Sequence, residues 1–192
     1  LPSQTGGYSS GPLVSTENHQ LFGSLTVFDM IPERLAIASQ LGASQALFPR
    51  AQIDNDDDLL GSSFKFDVTI EVSGNARALQ AAIDTTLDGG RVIVGSWYGN
   101  GTVPLHLGID FHRSHKTIQT SQVSEIPARL SRLWNKQRRF ALAWQLVREL
   151  RPSKLGLLTK VCRLQDAMEA YQSLDSGTEI AVAFDYTPND HH

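Results

Sequence analysis

The sequence contains a single cysteine, Cys162, among its 192 residues. One cysteine cannot form a disulfide within the chain, and it cannot build a zinc site from clustered thiolates. Basic residues are not in excess either, because 17 Lys and Arg stand against 20 Asp and Glu and the formal net charge is -3. We therefore expect neither nucleic acid nor a membrane surface as a partner.

Long apolar runs are also missing from the sequence. No stretch is long enough to span a bilayer, and the N-terminus has no basic segment followed by a hydrophobic one, as a secretory signal would. A cytoplasmic location is therefore the expectation. The first residue is Leu1 rather than methionine, which indicates a fragment. Hydrophobic residues make up 41% of the chain, a share typical of a globular protein.

The first half of the chain changes from an irregular segment to an alternating pattern. Residues 1–22 are rich in Gly, Ser, Pro and Thr and have no helical or strand period. After them, apolar runs alternate with amphipathic helical patterns, which indicates a parallel sheet covered on both faces. The predicted strands are Leu25–Phe28, Ala46–Phe48, Phe66–Val72, Val92–Val94 and Thr117–Ser121, and the predicted helices are Pro32–Leu41 and Ala76–Leu87.

The pattern differs after residue 122. Its strongest feature is a helical stripe of Phe140, Trp144, Val147 and Leu150, which is typical of a helix that packs on a core. The predicted helices of this part are Glu125–Leu133, Lys136–Leu150 and Gln165–Leu174, and the predicted strands are Leu157–Arg163 and Ile180–Phe184.

Asp29 has a special place, because it ends the apolar run Leu25–Phe28 just before the helix that Pro32 begins. A carboxylate at such a strand end accepts hydrogen bonds from the hydroxyls of an adenosine ribose, and it repels a 2′-phosphate. The pattern therefore predicts a preference for NAD over NADP. The alternative interpretation is that Asp29 only caps the helix. This stretch alone favours the helix cap, and the rest of the chain is what favours the ribose site.

Small residues follow two further strands, with Ser73 and Gly74 after FDVTIEV and Gly95 and Ser96 after RVIV. In a parallel sheet the ligand crevice lies outside the carboxyl ends of the strands. This order, the phrases FDVTIEVSG and DGGRVIVGS, and the closing segment KLGLLTKVCRLQDAMEAYQSLDSGTEIAVAF resemble the medium-chain, zinc-type alcohol dehydrogenases. The resemblance runs from about Gly23 to Phe184.

The resemblance implies an α/β fold with a doubly wound parallel sheet of the Rossmann type. Residues 23–122 would be a partial dinucleotide-binding domain, and residues 123–192 would be the C-terminal return segment of the catalytic domain. The activity implied is an NAD-dependent transfer of hydride between an alcohol and nicotinamide, with a small alcohol or carbonyl substrate. A homodimer or higher homo-oligomer, paired through Thr117–Ser121, is implied as well.

The same resemblance implies a set of cofactor-binding residues. Asp29 and Arg34 would lie at the adenosine ribose, although Arg34 could equally be a surface charge. Gly74 and Gly95 could likewise be simple turn glycines. The residues implied at the nicotinamide end are Val72, Ser73, Gly74, Gly95, Ser96, Ser121 and Gln122.

Three departures from the family pattern affect the prediction, and one is that Ala181 stands where the family often has an arginine that touches the pyrophosphate of the cofactor. The glycine-rich turn would lie near Gly6–Gly11, but Tyr8 stands in the place of its middle glycine and Pro2 opposes a buried strand before it. The sheet is therefore predicted to lack its first strand. The zinc ligands of the family belong to an N-terminal domain that this sequence does not contain.

No residue of this chain is predicted to be catalytic or to bind a metal ion. We expect His106, His112 and His115 to be solvated loop residues, and we expect the run Asp56–Asp58 to be a solvated turn. The fragment by itself is expected to be inactive, with zinc used only by the full-length enzyme. The alternatives are a non-catalytic nucleotide-binding remnant and a zinc-free reductase of the same superfamily.

Overall fold

A computed structural model describes residues 23–49, 59–60 and 63–187 of the chain. The described strands and helices, in chain order, are β1 (Thr26–Phe28), α1 (Pro32–Gln40), β2 (Gln45–Leu47), β3 (Phe66–Glu71), α2 (Ala76–Thr85), β4 (Thr86–Val94), α3 (Ile109–Arg113), β5 (Thr117–Thr120), α4 (Lys136–Leu150), β6 (Lys160–Cys162), α5 (Ala167–Asp175) and β7 (Val182–Phe184). The Gly6–Gly11 turn and the Asp56–Asp58 run lie outside the described residues.

All described strand pairs are parallel. β1 pairs with β2, β3 with β4, β4 with β5, and β6 with β7, and the connection within each of these pairs contains a helix. A parallel pair needs a crossover connection, which a helix provides by packing back on the sheet. The predicted α/β fold of the Rossmann type is therefore confirmed.

The main core lies between α2 and the β3–β4–β5 sheet. Val92 of β4 and Ile83 of α2 are its most deeply buried apolar side chains, with exposed fractions of 0% and 1%. Leu79, Ala82 and Val94 complete the buried cluster. Half-buried side chains that pack against this cluster are Tyr98, Val103, Leu105, Phe111 and Ile118. The helical face that the sequence predicts for Leu79, Ala82 and Ile83 is thus the buried face.

Helix α1 follows its sequence signals closely. Pro32 is its first residue, where a missing N–H group costs no hydrogen bond, and Leu35 and Ala38 are buried. The helix ends at Gln40, and Gly42 then has a φ of 96°, a conformation that favours glycine. The predicted helix Pro32–Leu41 is therefore correct to within one residue.

The boundary between α2 and β4 differs from the prediction. The sequence suggested a helix to Leu87, a break at Gly89–Gly90 and a strand from Val92, but α2 ends at Thr85 and β4 begins at Thr86. Thr85 and Thr86 donate hydroxyl hydrogen bonds to the carbonyls of Ala81 and Ala82, at 2.7 and 2.6 Å. These bonds satisfy helix-end carbonyls, so the chain turns directly from helix into strand.

The first five described strands form two separate sheets. Within the described residues, β1 pairs with β2 and β3 pairs with β4, and no described strand joins the two sheets. Aromatic rings make contact between them instead. The ring of Phe28 lies 5.4 Å from that of Phe64 and 6.4 Å from that of Phe66, centroid to centroid.

The C-terminal part departs from prediction in one important respect. Helix α4 has the predicted bounds, but its apolar stripe is not a core, because Phe140 and Trp144 are 56% and 61% exposed. No residue of α4 is buried in the structure as described. The predicted helix Glu125–Leu133 is also wrong, since this stretch contains only a 3₁₀ turn at Ala128–Leu130.

None of the helices within the described ranges is both long and apolar enough to cross a bilayer.

Asn75 is expected to contribute measurably to stability as the N-cap of α2. Its Oδ1 accepts hydrogen bonds from the backbone N–H groups of Arg77 and Ala78, at 2.8 and 3.4 Å. We expect Asn75→Ala to lower the free energy of unfolding by about 1 kcal/mol, as measured by urea denaturation. Asn100→Ala, in an exposed loop, is the matched control. Equal effects of the two changes would contradict the cap.

Candidate cofactor-binding site

The carboxyl ends of β3, β4 and β5 lie side by side at one edge of the main sheet. The Gly95 N–H donates to the Glu71 carbonyl at 2.8 Å, and the Ser121 N–H donates to the Val94 carbonyl at 2.8 Å. These bonds extend the two strand pairings by one residue beyond the strands. The structure thereby places Val72, Gly95 and Ser121, all predicted site residues, at neighbouring strand ends.

The turn after β3 contacts the turn after β4 through a hydrogen bond. The N–H of Gly74 donates to Ser96 Oγ at 2.8 Å. Gly74 has a φ of 72°, which a residue with a side chain rarely adopts, so the turn favours glycine at this position. Ser73, Gly74 and Ser96 are therefore brought together, with Gly74 exposed to solvent.

Gly95 lies at a close approach to the Val72 side chain. A Cβ atom at this position would lie 3.0 Å from Val72 Cγ1, tighter than ordinary van der Waals contact. The glycine leaves an open, exposed backbone at the end of β4. Exposed N–H and C=O groups beside small residues are what a flat ligand needs to approach the sheet edge.

Sequence reasoning missed two residues of this edge, Glu71 and Tyr98. Glu71 ends β3 with an exposed fraction of only 4%, and its carboxylate accepts a hydrogen bond from the Tyr98 hydroxyl. Glu71 had a usable signal, since an acid that ends an apolar strand before Ser-Gly is out of place unless it is hydrogen-bonded. Tyr98 had none, because the contact joins residues far apart in sequence.

Burial and the neighbouring carboxylate raise the pKa of Tyr98 far above its ordinary value of 10.0. Burial is the larger cause, followed by the hydrogen bond to Glu71. The phenol therefore stays protonated at neutral pH and acts as the donor to Glu71.

Asp29 and Arg34 occupy a second location, at the end of β1 and the start of α1. Asp29 is 5% exposed, and its Oδ1 accepts a hydrogen bond from the Ile31 N–H at 2.9 Å. Arg34 is also buried, which argues against its interpretation as a surface charge. The N-cap residue of α1 is Ile31, and Asp29 fixes the turn that leads to it.

The structure does not join these two locations by a described hydrogen bond or ion pair. Phe28, next to Asp29, contacts Phe66 at the start of β3, whereas Ser73 and Gly74 follow the end of that strand. Gln122 is exposed, and its Oε1 accepts a hydrogen bond from the Ser124 N–H at 3.1 Å. Seven of the predicted residues thus lie around the ends of β3 to β5, and two lie at the end of β1.

Metal-binding side chains are not clustered in the part of the chain that the structure describes. His106, His112 and His115 are exposed, and no group of three or more His, Cys, Asp or Glu in that part could hold a metal ion. Cys162 is half-buried on β6. These residues do not fit a zinc site.

Parallel strands with helical crossovers and small residues at the strand ends define a Rossmann-like α/β protein. Residues 20–139, more than half of the chain, match the sequence model of the family described as zinc-binding dehydrogenase. The chain therefore belongs to the zinc-binding dehydrogenase family. A search of curated proteins finds no significant match.

Solved structures of alcohol dehydrogenases share the fold at low sequence identity. An alcohol dehydrogenase from Thermotoga maritima matches with a TM-score of 0.63 at 19% identity, over 83% of this chain and 42% of its own. The 2R,3R-butanediol dehydrogenase from Bacillus subtilis matches with a TM-score of 0.57 at 18% identity, over 83% and 42%. A short chain alcohol dehydrogenase from Escherichia coli, complexed with NADH, matches with a TM-score of 0.62 at 17% identity, over 86% and 47%. The chain thus spans less than half the length of these structures.

Proposed function

We propose that this chain is the cofactor-binding part of an NAD-dependent, zinc-type alcohol dehydrogenase. The observation that carries the proposal is the buried carboxylate of Asp29 at the end of β1, inside the region that matches the family. A carboxylate at this place accepts hydrogen bonds from both hydroxyls of an adenosine ribose and opposes a 2′-phosphate by like-charge repulsion. Arg34, the third residue of α1, is buried as well.

The nicotinamide end of the cofactor would lie at the edge formed by the ends of β3, β4 and β5. Gly74 and Gly95 leave open backbone there, and Ser73 and Ser96 add hydroxyl groups. Val72, Ser121 and Gln122 would line the same edge. When bound, NAD supplies the hydride chemistry, and these residues bind and orient its reacting ring.

The zinc ligands are proposed to lie in a part of the protein outside these 192 residues. Support comes from length, because the matched alcohol dehydrogenase structures are more than twice as long as the part that this chain covers. The described residues also offer no cluster that fits zinc. The substrate, a small alcohol or carbonyl compound, would be held largely by that other part.

Residues 123–192 are proposed to return to the catalytic domain, after the dinucleotide-binding domain of residues 23–122. The exposure of α4 supports this proposal. Phe140, Trp144 and Val147 form an apolar stripe with exposed fractions of 56%, 61% and 42%, and a stripe of this kind usually packs against another element. The complete protein is further proposed to be a homodimer or higher oligomer, paired through the outer edge of β5.

Asp29→Asn tests the proposed ribose site. Asparagine keeps the oxygen that accepts from the Ile31 N–H but removes the charge. We expect binding of NADH to the complete gene product to weaken by roughly 10- to 150-fold, the equivalent of losing a charge-assisted hydrogen bond. The gap between NADH and NADPH should narrow. Titration calorimetry with both cofactors measures the effect.

Asp88→Asn is the matched control, because it removes an exposed carboxylate at the start of β4. It should leave both affinities unchanged. If Asp29→Asn left the preference for NADH over NADPH unchanged, Asp29 would not belong to the ribose site.

A further inference from the structure

Glu71 is a buried carboxylate with a full set of hydrogen-bond donors. Its Oε1 accepts from the Ser73 N–H and the Ser73 hydroxyl, both at 2.6 Å, and from the Gly74 N–H at 3.1 Å. Its Oε2 accepts from the Tyr98 hydroxyl. A buried charge is costly unless it is paired or hydrogen-bonded, and these donors compensate for the loss of water. Both carboxylate oxygens of Glu71 therefore accept hydrogen bonds from the protein itself, and we do not assign Glu71 a contact with a bound molecule.

The Tyr98 ring is anchored independently of its hydroxyl. Tyr98 packs half-buried against the core cluster that contains Val92 and Val94. Its hydroxyl reaches from the loop after β4 to the carboxylate at the end of β3. The burial and hydrogen bond that raise the pKa of Tyr98 keep this donor protonated.

Two hydrogen bonds therefore connect the turn after β3 with the chain after β4, and the Gly74 N–H of the second is shared between Ser96 Oγ and Glu71 Oε1. One is the Glu71–Tyr98 hydrogen bond, and the other is the bond from the Gly74 N–H to Ser96 Oγ. Ser73 and Gly74 are held by the same carboxylate that holds Tyr98. The positions of both turns are thus coupled through one buried side chain.

We propose that Glu71 and Tyr98 are positioning residues that preform the nicotinamide edge of the site. They hold the turn of Ser73 and Gly74 against Gly95 and Ser96, so that the exposed backbone of both turns faces the cofactor as one rigid surface. Neither side chain touches the cofactor in this role. The proposal rests on the proposed function, because it assigns the nicotinamide end to this edge.

The test compares NADH with ADP-ribose, which lacks the nicotinamide ring. Tyr98→Phe keeps the packed ring and removes the donor, and Glu71→Gln keeps the shape of the side chain and removes the charge. In the complete gene product we expect each change to weaken NADH binding by about 10-fold, since each disturbs a hydrogen bond to a charged group. Binding of ADP-ribose should change by less than about twofold.

Tyr186→Phe, which removes a hydroxyl at an exposed position, is the matched control and should change neither affinity. Asp29→Asn should weaken NADH and ADP-ribose equally, because both ligands carry the adenosine ribose. Thermal unfolding of each variant reports any general loss of structure, which would weaken both ligands together.

The outcomes separate the two proposals. If Tyr98→Phe and Glu71→Gln weaken both ligands to the same extent, or weaken neither, the positioning role is wrong while the cofactor site stands. If the unaltered gene product binds neither NADH nor ADP-ribose, the proposed function itself is wrong, and the positioning role is overturned with it.

Discussion

Residues 1–192 expressed on their own are expected to form no NADH from any alcohol, even when zinc is supplied. The matched alcohol dehydrogenase structures extend far beyond the part that this chain covers. We propose that the zinc ligands lie in a corresponding part of the complete protein, outside these 192 residues. A Lewis acid that polarises the alcohol oxygen typically contributes several kcal/mol of transition-state stabilisation. Without it, the rate of hydride transfer should fall below detection. The measurement is NADH absorbance over a panel of alcohols with NAD⁺ and zinc.

The open edges of the two sheets also lead us to expect no turnover from residues 1–192 alone. In the described residues no strand joins the β1–β2 sheet to the β3–β4–β5 sheet. The edge of β1 away from β2 and the edge of β3 away from β4 therefore have no described strand partner. We therefore also expect weak NAD binding and a tendency to aggregate through open sheet edges. Circular dichroism should show that the preparation is folded before it is assayed. Robust turnover by a folded preparation would contradict both the fragment interpretation and the placement of the zinc ligands.

Ile118→Pro is expected to convert the proposed dimer of the complete protein to a monomer. β5 pairs with β4 on one side only, so its other edge is open within the described residues. The Ser121 N–H points toward β4, and because N–H groups alternate along a strand, the N–H groups of Ile118 and Thr120 point outward. Proline at position 118 removes one outward donor from each copy and places a ring at the edge. Light scattering should then report the monomer mass.

Thr120→Pro distinguishes loss of the edge contact from disturbance of the core. Ile118 packs against the core cluster, whereas Thr120 is exposed, so Thr120→Pro removes an outward donor without disturbing the core. It should also give monomers. Gln119→Pro is the contrasting control, because its N–H faces β4, and it should lower the melting temperature instead. Dimers that persist in both Ile118→Pro and Thr120→Pro would exclude this edge as the interface.

Local sequence signals predicted the helices whose ends are marked by proline, by glycine or by the limits of an apolar period. Pro32 and Gly42 bounded α1, and the bounds of α4 followed from its apolar period. The same period led to a wrong prediction about burial. Periodicity shows which face of a helix is apolar, but it does not show what covers that face. In the structure as described, the Phe140 and Trp144 side chains of α4 are 56% and 61% exposed.

Two local features and one contact between distant residues were not predicted from the sequence. The boundary at Thr85–Thr86 was missed because two threonine hydroxyls, rather than the later glycines, close the helix. Helix α3 was missed because five residues are too short for a visible period. At the candidate site, the small residues at the strand ends were predictable from their order. The hydrogen bond between Glu71 and Tyr98 depends on how two loops fold over the sheet edge, which no local pattern records.

The most direct test of the proposed activity is NADH formation by the complete gene product with a panel of alcohols, before and after removal of metal ions by a chelator. We expect NAD⁺ to be reduced with at least one alcohol, the activity to disappear with the chelator, and added zinc to restore it. NADP⁺ should be the poorer acceptor, because of Asp29. Activity that survives chelation would instead identify a zinc-free reductase. The absence of any reduction, by a folded protein supplied with zinc, would contradict the dehydrogenase function.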